Sequence, residues 1–411
     1  MLAPHRALLA GCFALSQLFN ARTWAEDKLA APQAVTFEPA IRAEQMRPHI
    51  EFLAGPAMEG RASAAKQKAR EYIIERLKAA KLQPLYSESP DGSNDKPPAT
   101  PSFLQAIPGA ANEDGTIPIL GHNIGAWLPG SDPKLADEFL IVSAHYDHLG
   151  VRDGQIFAGA DDNASGVAMV LEVARQMAAA DTKPKRSVAF VAFDLEERLL
   201  WGSRWFAAHP PRPIEQVKLF ITADMIGRSL GNLPLPTVFI LGSEHATELK
   251  SALDLVGTTP KLEICRLGTD LIGTRSDYGP FRDREIPYLF FSTGEHPDYH
   301  TPRDTPDKID YEKAARIASL VLKLTRHVAD AEQAPVWTAA AQGDLDEPRA
   351  LHRITTLLLE SEKQRPLTGT QRFLVTNVRN RTQQILKADK MSADDRTWLI
   401  RMSQLLLLSV F

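Results

Sequence analysis

Two textures alternate along the chain. Continuous apolar, β-branched runs read as buried strands: EFLIVSAHYD (Glu138 to Asp147), RSVAFVAFD (Arg186 to Asp194), KLFITADM (Lys218 to Met225), TVFIL (Thr237 to Leu241) and PYLFFST (Pro287 to Thr293). Around them apolar residues recur at helical spacing. In Ala164 to Ala180, Val167, Val170, Leu171, Ala174 and Met177 share one face. The segment from Phe37 to Lys81 reads as two helices, the second striped by Ala69, Tyr72, Ile73, Leu77 and Ala80, and a further helix from Tyr311 to Ala331 closes the series. Ser87 to Ser102, dense in Pro, Ser, Asp and Gly, reads as a loop. Such a pattern predicts an α/β domain over residues 34–333, a mixed, mainly parallel central sheet with helices on both faces. Residues 346–411 are helical in pattern throughout, with apolar stripes in LHRITTLLLES (Leu351 to Ser361) and WLIRMSQLLLLSVF (Trp398 to Phe411). They predict an α-helical C-terminal extension packed on the main domain or on a second subunit, its final run too short to span a bilayer.

Composition narrows the setting. Over 411 residues, 44% hydrophobic and 24% charged content is that of a globular protein. A net charge of −4 supplies no basic face, so nucleic acid is not an expected partner. The start, with His5 and Arg6, an apolar run and Ala25 just before acids, has the layout of a secretory signal over residues 1–25. It predicts an exported protein, periplasmic or extracellular. LAGC (Leu9 to Cys12) also resembles a lipoprotein cleavage box, but the apolar run before Cys12 is short for one. Once such a leader is removed Cys265 is the sole cysteine, so stability must come from the core and not from an internal disulfide.

Chemistry in parallel α/β sheets sits beyond the carboxyl ends of the strands, and there the polar residues collect. One strand ends in SAHYDHLG, carrying His145, Asp147 and His148, and the turn into the next helix is GADDNASG, with Asp161, Asp162 and Asn163. Another ends in FDLEE, with Glu196 and Glu197, and the next in ITADMIGR, with Asp224. The last is followed by GEHPDYHTPRDTPDKID, carrying His296, His300, Asp304 and Asp307. Taken singly, each is ordinary: a strand-end Asp caps helices, a loop His is solvated, adjacent glutamates face water. Random surface charge has no reason to gather at successive strand ends. Imidazoles and carboxylates without thiolates suit zinc or a related first-row metal in a catalytic site. The ligand candidates exceed the needs of one ion and suit a pair about 3.5–4 Å apart bridged by a carboxylate. No HExxH helix is present.

In order and context the motifs AHYDHLG, GADDNASG, FDLEE, DMIGR and YHTPRDTPDKID, with LAGPAMEGRAS (Leu53 to Ser63) before them, resemble the di-zinc aminopeptidase family, which also holds glutamate carboxypeptidase II, the transferrin receptor and the glutaminyl cyclases. The likeness runs from Leu53 to Lys313 and omits the helical tail. It implies a zinc exopeptidase-like fold and two Zn2+ ions, one held by His145 and Asp224, the other by Glu197 and His300, with Asp162 bridging. Asp147 would hydrogen-bond the free nitrogen of His145. Glu196, pointing away from Glu197, would be the general base for a water shared by the metals, attacking the carbonyl of a peptide's N-terminal residue. Two departures stand out. Leu199 occupies the place of the first Gly in EExGLxGS, and SDYGPF carries Tyr278 where relatives often read SDH. Between Ser87 and Asn123 there is no room for the lid domain of many relatives, so short loops are expected to shape a pocket for small peptides. The alternatives are a glutaminyl cyclase, working with one zinc, a carboxypeptidase, for which Arg275 and Arg228 lie in suitable loops, and a silent binding protein. If the helical tail caps the site, removing it would broaden the accepted substrate length.

Overall fold

A computed structural model describes residues 35–88, 100–340 and 343–410. The expected leader, Cys12 and the middle of the Ser87–Ser102 loop lie outside them. Each apolar run expected as a strand is one, and the reason is visible in the alternation of their side chains. Along Ser187–Phe193 (β5), Val188, Phe190 and Ala192 enter one apolar cluster, while Ala189, Val191 and Phe193 enter another on the opposite face. Phe139–His145 (β4), Val217–Ala223 (β6), Thr237–Leu241 (β7) and Tyr288–Ser292 (β9) divide in the same way. Burial on both faces is what makes these sequences read as unbroken apolar runs.

Gln83–Pro84 (β1), Leu104–Pro108 (β2), Ile119–Leu128 (β3) and Glu263–Leu267 (β8) complete a nine-stranded sheet of order β1-β3-β5-β4-β6-β9-β7-β8, with β2 also pairing β3. The central run β5-β4-β6-β9 is parallel. Antiparallel pairing enters on both sides, through β3 on β5 and β7 on β9. The sheet is thus mixed with a parallel heart, and TVFIL departs from the parallel series by running against β9 while pairing parallel to β8.

One face carries Ala43–Leu53 (α1), Lys66–Ala79 (α2), Gly166–Ala179 (α3), Thr247–Val256 (α5) and Tyr311–Asp330 (α6). The other carries Trp201–Ala208 (α4) and a core of aromatic rings, with Phe220 stacked on Phe281 at 3.7 Å between centroids. The C-terminal residues form three helices, Asp346–Glu360 (α7), Gly369–Ala388 (α8) and Ala393–Val410 (α9). Their apolar stripes join that second core: Leu351, Ile354, Leu358, Val375 and Leu399 share a cluster with Leu241, Cys265, Tyr288 and Phe290. α7 packs along β8, where Arg353 makes a two-pronged ion pair with Glu263 at 2.7 Å. The connecting segment is fastened as well, with Trp337 stacked on His245 and the Thr338 N–H donating to the His245 carbonyl. The helical tail packs on the main domain. Cutting it off near Val336 would strip the cover from Leu241, Tyr288 and Phe290, so truncation cannot serve as a clean test of a capping role.

On α6, Lys313 is buried and donates from Nζ to the Arg228 carbonyl, Ser229 Oγ and the Leu235 carbonyl, at 3.1, 2.7 and 3.0 Å. It thereby holds the loop that follows β6. Burial pushes its pKa from 10.5 down to about 8. Between those values the unfolded chain keeps a proton that the folded one has lost, so raising pH across this window stabilises the fold. Urea unfolding at pH 8 and pH 10 should show this rise in the wild type; Lys313→Met should lose that increment and, with two carbonyls left unpaired, be less stable by about 1–3 kcal/mol.

Candidate metal centre and pocket

Beyond the ends of β4, β5, β6 and β9 the expected ligands converge. His145 Nε2 lies 3.2 Å from Asp162 Oδ1, 3.4 Å from Asp224 Oδ1 and 4.0 Å from Glu196 Oε2. His300 Nε2 lies 3.1 Å from Asp162 Oδ2 and 3.3 Å from Glu197 Oε2. Asp162 therefore turns one oxygen to each group. His148, left without a role by the sequence, enters the second group with Nδ1 2.8 Å from Glu197 Oε1 and 3.7 Å from Asp162 Oδ2. The donor atoms of His145, Asp162 and Asp224, and those of His148, Asp162 and Glu197, each lie within 4.8 Å of one another.

Glu196 and Glu197 do face different partners, but not because they are neighbours in an extended strand. β5 ends at Phe193, and the pair follows Leu195, whose φ is +57°. A turn separates their directions. Asp147 holds its carboxylate 3.7 Å from His145 Nδ1, which is closer still, 3.2 Å, to the Asp147 carbonyl. Its Oδ1 accepts the Glu196 N–H at 3.1 Å, so Asp147 also fixes the backbone of that glutamate.

The loop that carries Asp162 is held from both sides. Fully buried Arg61 donates to the carbonyls of Leu53, Tyr146, Ala158, Gly159 and Asp162. Asp304 accepts the N–H groups of Asp161 and Asp162 at 3.0–3.1 Å. At Gly159 φ is +59° and a Cβ would stand 2.1 Å from the Asp162 carbonyl oxygen, which restricts the position to glycine. Asp161 pairs with buried His296 at 3.3 Å, and Asn163 accepts the Gly166 N–H, the helix-start role that an isolated strand-end polar residue suggests. Asp307 is exposed.

This donor set fits divalent cations. Asp147, Asp162, Glu196, Glu197, Asp224 and fully buried Asp277 crowd the histidines. Burial disfavours a charged imidazole, yet the Asp224 and Glu196 carboxylates hold His145 well above its ordinary pKa. Burial likewise opposes the charged form of His300, but Asp162 and Glu197 lift it to about 10. Burial drives Glu196 well above the usual carboxylate range, with Asp224, Asp277 and Asp147 adding to the effect and His145 opposing it. Asp277 is pushed up to about 7 for the same reasons. A site that draws protons onto its imidazoles and carboxylates is short of positive charge.

A cavity of about 180 Å³ opens beside it. Asp162, Glu196, Asp224 and His300 line one end, whereas Glu197 does not reach it. The expectation that short loops alone would shape this pocket is incomplete, because α7 and α9 wall it too. Neither departure from the motifs disturbs the site. Leu199 adopts the left-handed backbone itself, φ +61°, with its side chain 80% exposed. Tyr278 is buried, stacks on Tyr288 and bonds to the Gly273 carbonyl and the Arg275 N–H, holding the loop that bears Arg275.

A mixed sheet with a parallel heart, helices on both faces and paired histidine–carboxylate groups beyond its strand ends is the architecture of a zinc exopeptidase. Residues 123–325 match Peptidase family M28, in agreement with the resemblance of the motifs to the di-zinc aminopeptidases. Aminopeptidase YwaD of Bacillus subtilis is 26% identical over 210 residues, 48% of this chain and 43% of that protein. A glutaminyl-peptide cyclotransferase of Boiga irregularis is 26% identical over 226 residues, 46% of this chain and 61% of its own length. The matches thus span about half the length of these relatives. In fold the chain is similar to an aminopeptidase from Aneurinibacillus sp. strain AM-1, with TM-score 0.51, 20% identity, and 73% and 96% of the two chains covered.

Arg61 braces the loop of Asp162 and His148 joins the second cluster, and sequence reasoning gave neither a role. A lysine has three donors against the five of arginine, so Arg61→Lys should leave buried carbonyls unpaired, lose about 2–4 kcal/mol in urea unfolding and bind zinc more weakly. In His148→Gln, Glu197 loses its closest partner, and zinc affinity measured by competition with a chelator should fall about 10–100-fold.

Proposed function

We propose that the protein is a zinc-dependent exopeptidase that removes N-terminal residues from peptides, with His145 and Asp224 at one ion, Glu197 and His300 at a second and Asp162 shared between them. The observation that carries this reading is the division of labour between the adjacent glutamates: Glu196 lines the cavity, whereas Glu197 is turned to His148 and His300. Zinc in these clusters would make a water acidic and offset negative charge on the scissile carbonyl oxygen. Glu196 accepts the water's proton as the carbonyl carbon is attacked, then delivers it to the departing amine. The bond from its N–H to Asp147 keeps Glu196 in place beside the cavity.

The choice of the amino end rests on where the cations are. Arg228 is 5% exposed and already committed to Asn232 and Asp298. Arg275 lines the cavity but pairs with Glu295 at 3.5 Å. Carboxylates dominate the rim, which suits a substrate ammonium better than a terminal carboxylate. The leader-like segment supports export to the periplasm or beyond. Among the described residues no helix is long and apolar enough to cross a membrane.

Mass spectrometry of a mixed peptide pool, including peptides that begin with Gln, tests this on the zinc-loaded protein. Stepwise loss from the amino end is expected, slowed about 10²–10⁴-fold in Glu196→Gln, the range for removing a general base. Loss from the carboxyl end would overturn the substrate assignment. Loss of ammonia alone would make the protein a cyclase.

A further inference from the structure

The charged lining of the cavity belongs to the family stretch, but part of its apolar lining does not. Leu351, Ile354 and Leu358 of α7, spaced i, i+3 and i+7, turn one helix face toward the cavity, and Leu406 of α9 joins them. These residues follow position 325, where the family match stops. They are 4–8% exposed, so the wall is built into the second core and is not a loose flap. Thr355 also borders the space, but its hydroxyl donates back to the Leu351 carbonyl of its own helix, leaving its polar group engaged. Ser403 adds a buried hydroxyl that has no hydrogen-bond partner among the described residues. Leu230, Phe239, Leu241, Leu271 and Phe290, from within the family stretch, continue the apolar lining.

We infer that α7 and α9 form the closed end of the pocket for the side chain of the residue being removed, and that this pocket selects a long apolar side chain. The inference rests on the exopeptidase reading for the identity of the substrate. The geometry behind it is the continuity of one cavity from Glu196 and Asp162 to Leu358 and Leu406. A residue whose carbonyl lies at the polar end extends its side chain toward the aliphatic end. A short side chain leaves that end unfilled and a charged one loses its water there. The helical tail therefore acts through side-chain size, not only through peptide length.

The test uses the full zinc-loaded chain and the 4-nitroanilides of leucine, alanine and phenylalanine. Since one methylene in an apolar pocket is worth about 10–200-fold in kcat/KM, wild type should favour leucine over alanine by at least about tenfold. Leu358→Trp, which fills the end, should lower that leucine-to-alanine ratio at least about tenfold, and Leu358→Ala, which deepens it, should raise the phenylalanine-to-leucine ratio. Misfolding would not move the two variants in opposite directions. Ratios unchanged in both variants would overturn the inference. Ligand-detected NMR titration with 4-methylpentanamide, an apolar amide lacking the amino group, provides a readout without turnover. Wild type should bind it saturably and Leu358→Trp at least about tenfold more weakly. If none of the anilides is cleaved, the exopeptidase reading falls separately, and equal or absent binding in the titration would then sink the pocket itself.

Discussion

The guanidinium of Arg61 and the carboxylate of Asp304 grip one short loop from opposite sides, and the candidate metal centre depends on that grip. Asp162 must present one oxygen to His145 and the other to His300, and a carboxylate on a free loop would not hold both. Arg61 takes the loop's carbonyls and Asp304 takes its N–H groups, so the backbone polarity of the segment is satisfied while the side chain stays free to face the clusters. The same guanidinium reaches the Tyr146 carbonyl, one residue past His145. A single buried cation thus sets the spacing between a ligand on a strand end and the carboxylate common to both groups. Burial brings its pKa down to about 10, while the surrounding carboxylates, Asp162 first, work to keep it charged.

What the sequence made legible was whatever leaves a mark in side chains. The parallel heart of the sheet could be read because burial on both faces demands unbroken apolar runs. β3 could not, since ILGHNIGAWL mixes glycine, histidine and asparagine into a strand with an exposed start, and β8 is short, with only Cys265 fully covered. The candidate ligands His145, Asp162, Glu197, Asp224 and His300 could be gathered at one rim because strand ends of a parallel sheet converge, and the resemblance of the motifs singled them out. Arg61 was not. Its partners are backbone carbonyls, which have no identity in a sequence, and it occupies a left-handed backbone with φ of +49° that nothing around it advertises. His148 stood in plain view beside Asp147, but two histidines near one strand end do not say which of them meets Glu197.

Electrostatics and shape divide the pocket between them. At one end carboxylates outnumber the imidazoles that could neutralise them, and burial amplifies their repulsion. Elsewhere, leucines and isoleucine from helices beyond the family stretch join apolar side chains of the sheet domain in enclosing the space. The sheet supplies the chemistry, and a later part of the chain supplies the boundary within which a ligand must fit. Relatives that share the charged lining need not share the part of the boundary that α7 and α9 supply.

That division has a consequence in time. The chain emerges in order from its amino end, whether from a ribosome or a translocation pore, so β4, β5, β6 and β9 can assemble, with every candidate ligand in place, before the segments bearing Leu351 and Leu406 have emerged. Until those helices dock, the rings and aliphatic side chains of the second face lie bare to water, and the nascent chain carries a half-built cleft with a sticky flank. Completing the chain and closing the cleft are then one event.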